Sequence, residues 1–308
     1  MNAEIKIEGK TYLVDFSNFN DLSIPINFNG EQPNTYNVER ASSSAYQDNS
    51  FIGDTRKGGP CNFETFKITP HCNGTHTECI GHITEERISI NSSLDDVFFT
   101  STLISVIPVE KRETYIPNLN QGDLVITKQM LHKKLKQIDD VYLDGLIIRT
   151  LPNSSEKMSQ DYMKKTPPFF TLEAMKYIRQ RGVKHLLVDI PSVDRLFDDG
   201  HLSCHNIFWD TKNKQYNSKT KSHTITEMIY VDDKIKDGQY LLNLQVPPFV
   251  SDAAPSRPII FKLINKILIK RNKIKTKPKI PISDKICTYV LWGCVEQTNL
   301  FFLLLLLY

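Results

Sequence analysis

Residues 70–82 read PHCNGTHTECIGH, and this span concentrates more metal-binding side chains than any other part of the 308-residue chain. Three histidines, two cysteines and one glutamate lie within it. In an extended segment His76 and Glu78 project to the same side, and His82 returns to that side if the chain turns helical. Imidazole and carboxylate together suit a divalent metal, so the span predicts half of a metal site. The alternative is a polar loop with incidental histidines.

A buried carboxylate is predicted further along the chain, in the strand TITEMIYV of residues 224–231. Period two places Glu227 on the same face as Ile225, Ile229 and Val231, and that face is apolar. A carboxylate there is costly unless a cation, hydrogen bonds or a proton compensates it. A metal held by the first span would compensate it. The alternative is an exposed edge with Glu227 in water.

Two histidines are candidate partners of Glu227. His205 lies beside Cys204 and before an apolar run, whereas His223 shares the predicted face of Glu227. The pattern alone does not separate them. The turn of residues 189–195, DIPSVDR, directly follows an apolar strand, where α/β folds place functional side chains. A capped turn with no further role is the alternative.

Composition and charge narrow the class of protein. With 40% hydrophobic and 24% charged residues, the chain is typical of soluble globular proteins. Residues 264–308 hold eight Lys and Arg against two acidic residues, a charge of +6, so residues 1–263 carry −3. That balance gives no support to nucleic-acid binding. The N-terminus has frequent charges and no apolar signal core, which predicts a cytoplasmic protein.

Hydrophobic periodicity predicts a mixed α/β domain over residues 1–263. The predicted strands are a hairpin around residues 8–10 and the segments 63–68, 102–109, 146–150, 185–190, 224–231 and 240–246; the predicted helices are 127–138 and a segment capped by Thr171 and ended by Gly182. Residues 264–308 form a basic and then apolar C-terminal extension, predicted to be poorly ordered. Its nine final apolar residues are too few to span a bilayer, so a membrane role is not expected.

These residues resemble the metal-dependent cyclase family, which includes bacterial kynurenine formamidase and isatin hydrolase. The family's signature HxGTHxDxPxH aligns without a gap with residues 72–82. DFS at 15–17, LIIRT at 146–150 and DIPSVD at 189–194 resemble further family segments, so the resemblance covers roughly residues 10–262. It implies a single domain of the swivelling β/β/α type, with a mixed sheet and flanking helices.

The resemblance also implies a set of site residues. The implied metal ligands are His76, Glu78, His205 and Glu227, with His82 as the acid/base. Cys72 stands where the first histidine of the signature is expected, and His71 lies one position earlier, so both are candidates for the remaining ligand. Glu78 replaces an aspartate, which moves the carboxylate outward by over ~1 Å, and Ile80 replaces a proline.

The implied function is that of a metal-dependent hydrolase acting on an amide-type C–N bond, either arylformamidase-like or cyclic-amide hydrolysing. It would use one or two zinc or manganese ions, a small-molecule amide substrate and no nucleic acid, and would form a homodimer or homotetramer. Because Cys72 occupies a ligand position, a non-catalytic binding protein on a degenerate cyclase fold is the alternative. A thiol redox sensor using Cys72, Cys79 and Cys204 is a third possibility.

Overall fold

The computed structural model describes residues 1–110 and 113–266. Within them the strands are β1 (Asn2–Ile7), β2 (Lys10–Asp15), β3 (Phe19–Asp21), β4 (Ser42–Ala45), β5 (Glu64–Lys67), β6 (His76–Cys79), β7 (Phe98–Val106), β8 (Val125–Ile126), β9 (Gly145–Thr150), β10 (Phe169–Phe170), β11 (His185–Val188), β12 (Thr224–Glu227), β13 (Gly238–Asn243), β14 (Ala253–Pro255), β15 (Ile259–Lys262) and β16 (Ile264–Asn265). The α-helices are α1 (Pro70–Asn73), α2 (Ile90–Ser93), α3 (Lys128–Leu135), α4 (Leu172–Gln180) and α5 (Ser203–Trp209).

One large mixed sheet dominates the described part of the chain, with strand order β14-β6-β12-β11-β9-β7-β13-β15-β3. Its central strands β12, β11, β9 and β7 run parallel, and the strands on either side are antiparallel. Every residue of β9, β11 and β12 is buried, as expected for parallel strands covered on both faces. The carboxyl end of β12 carries Glu227, beside β6 with His76.

The two faces of the large sheet are covered differently. On one face, α3, α4 and α5 pack against β9 and β11 in a core that contains Leu131, Met175, Phe208, Leu146 and Leu186. The other face is covered by a second apolar cluster that includes residues of β13, β15 and the segment after β12. The sheet β1-β2-β16 packs beside it in a further cluster. The predicted mixed sheet with flanking helices is therefore confirmed.

Local sequence signals explain where the main helices begin and end. The Thr127 hydroxyl accepts a hydrogen bond from the Met130 N–H, and the Thr171 hydroxyl accepts one from the Ala174 N–H. These are N-caps, which satisfy amide groups that a helix start leaves unpaired. Gly182, with φ +74°, follows α4 as predicted. The hairpin of β1 and β2 around Gly9 is also confirmed.

The strand prediction for residues 224–231 is wrong beyond Glu227. β12 ends there because Met228 takes the left-handed conformation, with φ +51°. The period-two pattern is broken at that residue, so Ile225 packs in the helix-covered cluster, whereas Ile229 and Val231 pack in the cluster on the opposite side. A non-glycine residue at positive φ is a feature that periodicity does not reveal.

The C-terminal part of the chain adds one strand to the described structure. Ile264 and Asn265 pair with β2 at the edge of the small sheet. The rest of the predicted extension, residues 267–308, lies outside the described residues, and the boundary at residue 263 stays a prediction. No helix among the described residues is long and apolar enough to cross a membrane.

Candidate metal centre

The span of residues 70–82 folds as a short helix, a turn, a strand and a further helical turn. Pro70 occupies the first turn of α1, and the Asn73 side chain accepts a hydrogen bond from the Thr69 N–H at 2.7 Å. Gly74 has φ +159° and ψ −166°, and a Cβ there would lie 3.1 Å from the Ile26 side chain. A side chain would be strained at this φ and tight against Ile26, so the position favours glycine. The result is a rigid entry into β6.

The strand β6 is clamped from both sides. It pairs with β12 on one side and with β14 on the other, and all four of its residues are buried. The Thr75 hydroxyl, just before it, donates to the Met228 carbonyl at 2.5 Å and accepts from the Ile24 N–H at 2.8 Å. His76 and Glu78 are therefore fixed by backbone pairing, and both belong to the cluster described next, as their spacing predicts.

Glu78 lies at the centre of a cluster of histidines. Its Oε2 atom is 3.1 Å from His71 Nδ1 and 3.8 Å from His82 Nε2, and its Oε1 atom is 3.1 Å from His205 Nε2. The His71 and His82 rings stack with centroids 4.3 Å apart. Glu78 is 1% exposed, so both of its oxygens are used inside the protein.

His71, rather than Cys72, brings the first ligand-type side chain to the cluster. One donor atom each from His71, His76 and Glu78 lie within 4.8 Å of one another, close enough to hold one metal ion. Among the described residues, Cys72 belongs to no such group of donor atoms. Burial, and then the charge of Glu227, raise the pKa of the Cys72 thiol to about 11. The side chain at position 71 thus occupies the cluster although the sequence alignment points to position 72.

The short helix α5 supplies His205. Its Nδ1 atom is 2.7 Å from Asp194 Oδ2, and its Nε2 atom faces Glu78 and, at 3.9 Å, Glu227. Asp194 also accepts the backbone N–H groups of Cys204 and His205, and its other oxygen accepts the Tyr115 hydroxyl. A carboxylate at the first turn of a helix is favourable, and this one fixes the ring of His205 as well.

His76 and Glu227 form the least compensated pair in the cluster. His76 Nδ1 lies 3.0 Å from the Gly74 carbonyl, so Nδ1 carries a hydrogen, and in the neutral ring Nε2 then carries the lone pair. His76 Nε2 is buried without a hydrogen-bond partner and lies 3.6 Å from Glu227 Oε2. Two ligand atoms bound at about 2.1 Å to one ion are at most about 4.2 Å apart, so this spacing fits a shared cation.

Glu227 itself is 3% exposed, so the alternative of an exposed edge is wrong. Its Oε1 atom accepts the Val193 N–H at 3.0 Å. That hydrogen bond comes from the turn of residues 189–195, which therefore contributes to the cluster through Val193 and Asp194. Asp189, in the same turn, instead pairs with Lys157 at 2.7 Å and caps the end of β9 through Thr150.

Charge compensation within the cluster explains its pKa shifts. Burial raises the pKa of Glu78, but His82 and His205 outweigh it and hold that pKa well below its usual range. Burial lowers the pKa of His205, but Asp194 and Glu78 raise it well above the usual range. Burial also lowers the pKa of His71, but Asp252 and Glu78 outweigh it and raise that pKa to about 10. Cationic rings balance the carboxylates here, as a metal ion would.

Asp252 completes the cluster, and the sequence patterns do not identify it. Its Oδ2 atom is 2.9 Å from His71 Nε2 and 3.3 Å from His82 Nδ1. It stands in the polar segment SDAAPS, which has no hydrophobic period and no motif. Only the pairing of β14 with β6 brings it to the histidines.

The model of the Cyclase family, described as "Putative cyclase", matches residues 20–195. The chain belongs to the Cyclase family. The resemblance inferred from the sequence motifs is therefore confirmed, and the matched residues include the whole span 70–82. The downstream members of the cluster, His205, Glu227 and Asp252, lie beyond the matched residues and reach the site through the fold.

Relatives of this cyclase-family chain include a curated protein and solved structures. Kynurenine formamidase of Bacillus cytotoxicus is 27% identical over 129 residues, 42% of this chain and 54% of the relative, so the match spans about half of that protein's length. A predicted metal-dependent hydrolase from Bacillus stearothermophilus aligns with a TM-score of 0.53 and 17% identity, over 79% of this chain and 98% of that chain. Isatin hydrolase A from Ralstonia solanacearum aligns with a TM-score of 0.55 and 12% identity, over 79% of this chain and 91% of that chain. Both structures share the fold.

The rival histidine and two of the candidate redox cysteines do not take the roles that the sequence left open for them. His223 faces Arg179, with 3.4 Å between His223 Nδ1 and the guanidinium, and burial together with Arg179 lowers its pKa to about 4. The structure therefore places His205, and not His223, beside Glu78. Cys79 and Cys204 are buried, and burial raises the pKa of each thiol, which is the opposite of what a reactive thiol needs.

A cavity of about 430 Å³ adjoins the cluster on the side of His82 and Asp252. Thr84, Ser89 and Ser251 contribute hydroxyl groups to its walls, and Gly81, Arg87 and Val250 also line it. His82 is 28% exposed in its side chain, so it stands between the buried carboxylate of Glu78 and this open space.

Proposed function

We propose that this member of the Cyclase family is a metal-dependent hydrolase of an amide-type C–N bond, arylformamidase-like or acting on a cyclic amide. The observation that carries the proposal is the buried, unpaired Nε2 atom of His76, which faces the buried carboxylate of Glu227. A buried lone pair aimed at a carboxylate is unfavourable unless a proton or a metal cation lies between them, and 3.6 Å is too long for an N–H···O hydrogen bond but fits two ligands of one metal ion. The family relationship and the partial match to a kynurenine formamidase support the choice of reaction.

The residues that would hold metal form two sets that share Glu78 and Glu227. One ion would take His71, His76, Glu78 and the Glu227 oxygen that faces His76, and a second would take Glu78, His205 and the other Glu227 oxygen. Imidazole and carboxylate ligands suit zinc or manganese. Asp194 would orient His205, as carboxylates behind metal-bound histidines commonly do.

The chemistry would depend on His82 and the adjoining cavity. A divalent ion in the cluster would supply a water of lowered pKa and polarise a carbonyl group. His82 would accept a proton at Nε2, the ring atom that faces Glu78, and return it to the leaving nitrogen. The neighbouring cavity has room for a small amide beside His82.

The experiment that tests this proposal measures metal content and turnover together. Protein expressed with zinc and manganese is assayed for bound metal and for hydrolysis of formyl-kynurenine and isatin. We expect Glu78→Ala to lose metal and turnover, and His82→Ala to keep metal but lose turnover. His223→Gln, a histidine outside the cluster, is the matched control and should retain both. Absence of stoichiometric metal in the unmodified protein would overturn the proposal.

The alternative of a non-catalytic binding protein makes a different prediction in the same experiment. It requires thermal stability that does not depend on metal, together with no turnover on any amide. The quaternary state is part of our proposal as a homodimer or homotetramer, and light scattering on the purified protein measures it. The cytoplasmic location stays a prediction, tested by fractionation.

A further inference from the structure

Asp252 is held against the histidine cluster by backbone hydrogen bonds rather than by its side chain alone. Its carbonyl accepts the Cys79 N–H at 3.0 Å, and the next residue, Ala253, pairs with Glu78 in the register of β14 and β6. The Ser251 carbonyl accepts the Ile90 N–H at 2.8 Å on the other side. The carboxylate of Asp252 therefore projects from a fixed point beside the strand that carries Glu78.

One oxygen of this carboxylate contacts two histidines. Oδ2 lies 2.9 Å from His71 Nε2 and 3.3 Å from His82 Nδ1. An ionised carboxylate can only accept hydrogen bonds, so both of these ring nitrogens carry a hydrogen. The remaining nitrogens, His71 Nδ1 and His82 Nε2, both face Glu78 Oε2, at 3.1 and 3.8 Å.

We propose that Asp252 is a positioning residue that sets the tautomers and ring orientations of both histidines. When a metal ion takes the place of the hydrogen between His71 Nδ1 and Glu78, the bond from Nε2 to Asp252 would keep Nδ1 as the ligand atom, and the bond from His82 Nδ1 to Asp252 would likewise keep His82 Nε2 as the proton acceptor. This inference rests on the proposed function and adds a residue to it. A carboxylate behind an imidazole is the usual means of fixing which nitrogen is free to react.

The role of Asp252 also explains how a histidine one position early in the signature reaches the site. His71 lies on the four-residue helix α1, and its side chain is 26% exposed. Without a partner for Nε2 the ring could rotate away from Glu78. The hydrogen bond from Nε2 to Asp252 holds Nδ1 on the cluster side.

The test compares Asp252→Asn with Asp237→Asn in the full-length protein. Asp237 is a matched control because it is similarly exposed, 34% against 29%, and accepts hydrogen bonds from Ser105, Arg149 and Lys134 away from the cluster. Zn²⁺ affinity is measured by competition with a chelator, and Co²⁺ is used as a spectroscopic probe of the ligands. Urea unfolding checks that each variant is folded.

For Asp252→Asn we expect Zn²⁺ affinity to fall ~10–100-fold, the Co²⁺ visible spectrum to change, and kcat to fall while KM stays within about twofold. Asp237→Asn should change none of these. Asp252→Glu keeps a carboxylate and should recover part of the Zn²⁺ affinity. An unchanged Co²⁺ spectrum and Zn²⁺ affinity in Asp252→Asn would overturn the inference, as would equal losses in Asp237→Asn.

The two proposals can fail separately. If the unmodified protein binds Zn²⁺ but hydrolyses no amide, the proposed function fails, while affinity and spectrum still decide whether Asp252 positions His71. If the unmodified protein hydrolyses an amide and Asp252→Asn does so equally well, only the positioning role is lost.

Discussion

Replacing Glu227 by glutamine should have opposite effects on the metal-free and the metal-bound protein. The glutamine keeps the shape of the side chain and an oxygen that can accept the Val193 N–H. Its amide nitrogen would replace the oxygen that now lies 3.6 Å from His76 Nε2, and it can donate to that unpaired lone pair. The substitution therefore supplies a hydrogen bond where the unmodified protein has none.

The size of both effects follows from this geometry. One new buried hydrogen bond should stabilise the metal-free protein by ~0.5–1.5 kcal/mol, which for a domain of this size is a rise in Tm of roughly 1–6 °C. The metal-bound protein loses an anionic ligand. At a metal concentration of 100 Kd, binding stabilises by ~2.7 kcal/mol, and a 100-fold loss of affinity reduces this to about 0.4 kcal/mol.

Thermal melts in EDTA and in Zn²⁺ at about 100 times the dissociation constant of the unmodified protein measure both effects. Asp189→Asn is the control, because Asp189 is an equally buried carboxylate that already has a cation, Lys157, at 2.7 Å. Asp189→Asn should have a lower Tm than the unmodified protein both in EDTA and in Zn²⁺. Our reasoning would be refuted if Glu227→Gln had a lower Tm than the unmodified protein in EDTA and kept the full increase in Tm that Zn²⁺ causes.

Three further predictions concern single residues. His71→Ala should weaken Zn²⁺ binding at least ~10-fold, whereas Cys72→Ser should leave the affinity nearly unchanged. A Zn²⁺ titration in which Cys72→Ser loses more affinity than His71→Ala would show that position 72 is the ligand. Burial lowers the pKa of His185 to about 3, so the unfolded chain binds a proton below pH ~6.5 that the native state does not bind. Stability should therefore fall by ~2.3 kcal/mol from pH 6.5 to 4.5, and His185→Gln should remove that pH dependence in urea unfolding. Asp194→Ala should cost ~3–5 kcal/mol, because it leaves His205 Nδ1 and the buried N–H groups of Cys204 and His205 without an acceptor. A loss under about 1 kcal/mol in urea unfolding would contradict this.

Much of the fold could be predicted because its signals are local. The threonine caps of α3 and α4, the turn at Gly9 and the apolar runs of β9 and β11 each depend on residues adjacent in sequence. The helix α5 was not predicted, since it begins after Leu202 at φ +46° and has no capping side chain of its own at that position. Its start depends on Asp194, a residue that only the tertiary fold brings to it.

The site was predictable in part for the same reason. His76 and Glu78 share a strand, so their common side follows from period two. Glu227 was correctly expected to be buried, although the reasoning used Ile229 and Val231, which lie beyond the end of β12. Asp252 reaches the cluster because the next residue, Ala253, pairs with Glu78, 175 positions earlier in the sequence, and no local pattern encodes that pairing.

The three departures from the family signature are connected by the geometry of Glu78. His71 and Cys72 are adjacent on α1, where successive side chains point about 100° apart, so only one of them can face Glu78. The longer glutamate uses both oxygens, one toward His71 and the other toward His205, and so spans donors on α1 and α5. Ile80 replaces the signature proline, but it is fully buried, and its carbonyl accepts the Ile83 N–H and the Thr84 hydroxyl. The turn that carries His82 is thus held by packing and hydrogen bonds instead of a proline ring. In the proposed metal centre, the first histidine would therefore be supplied from position 71 rather than from position 72.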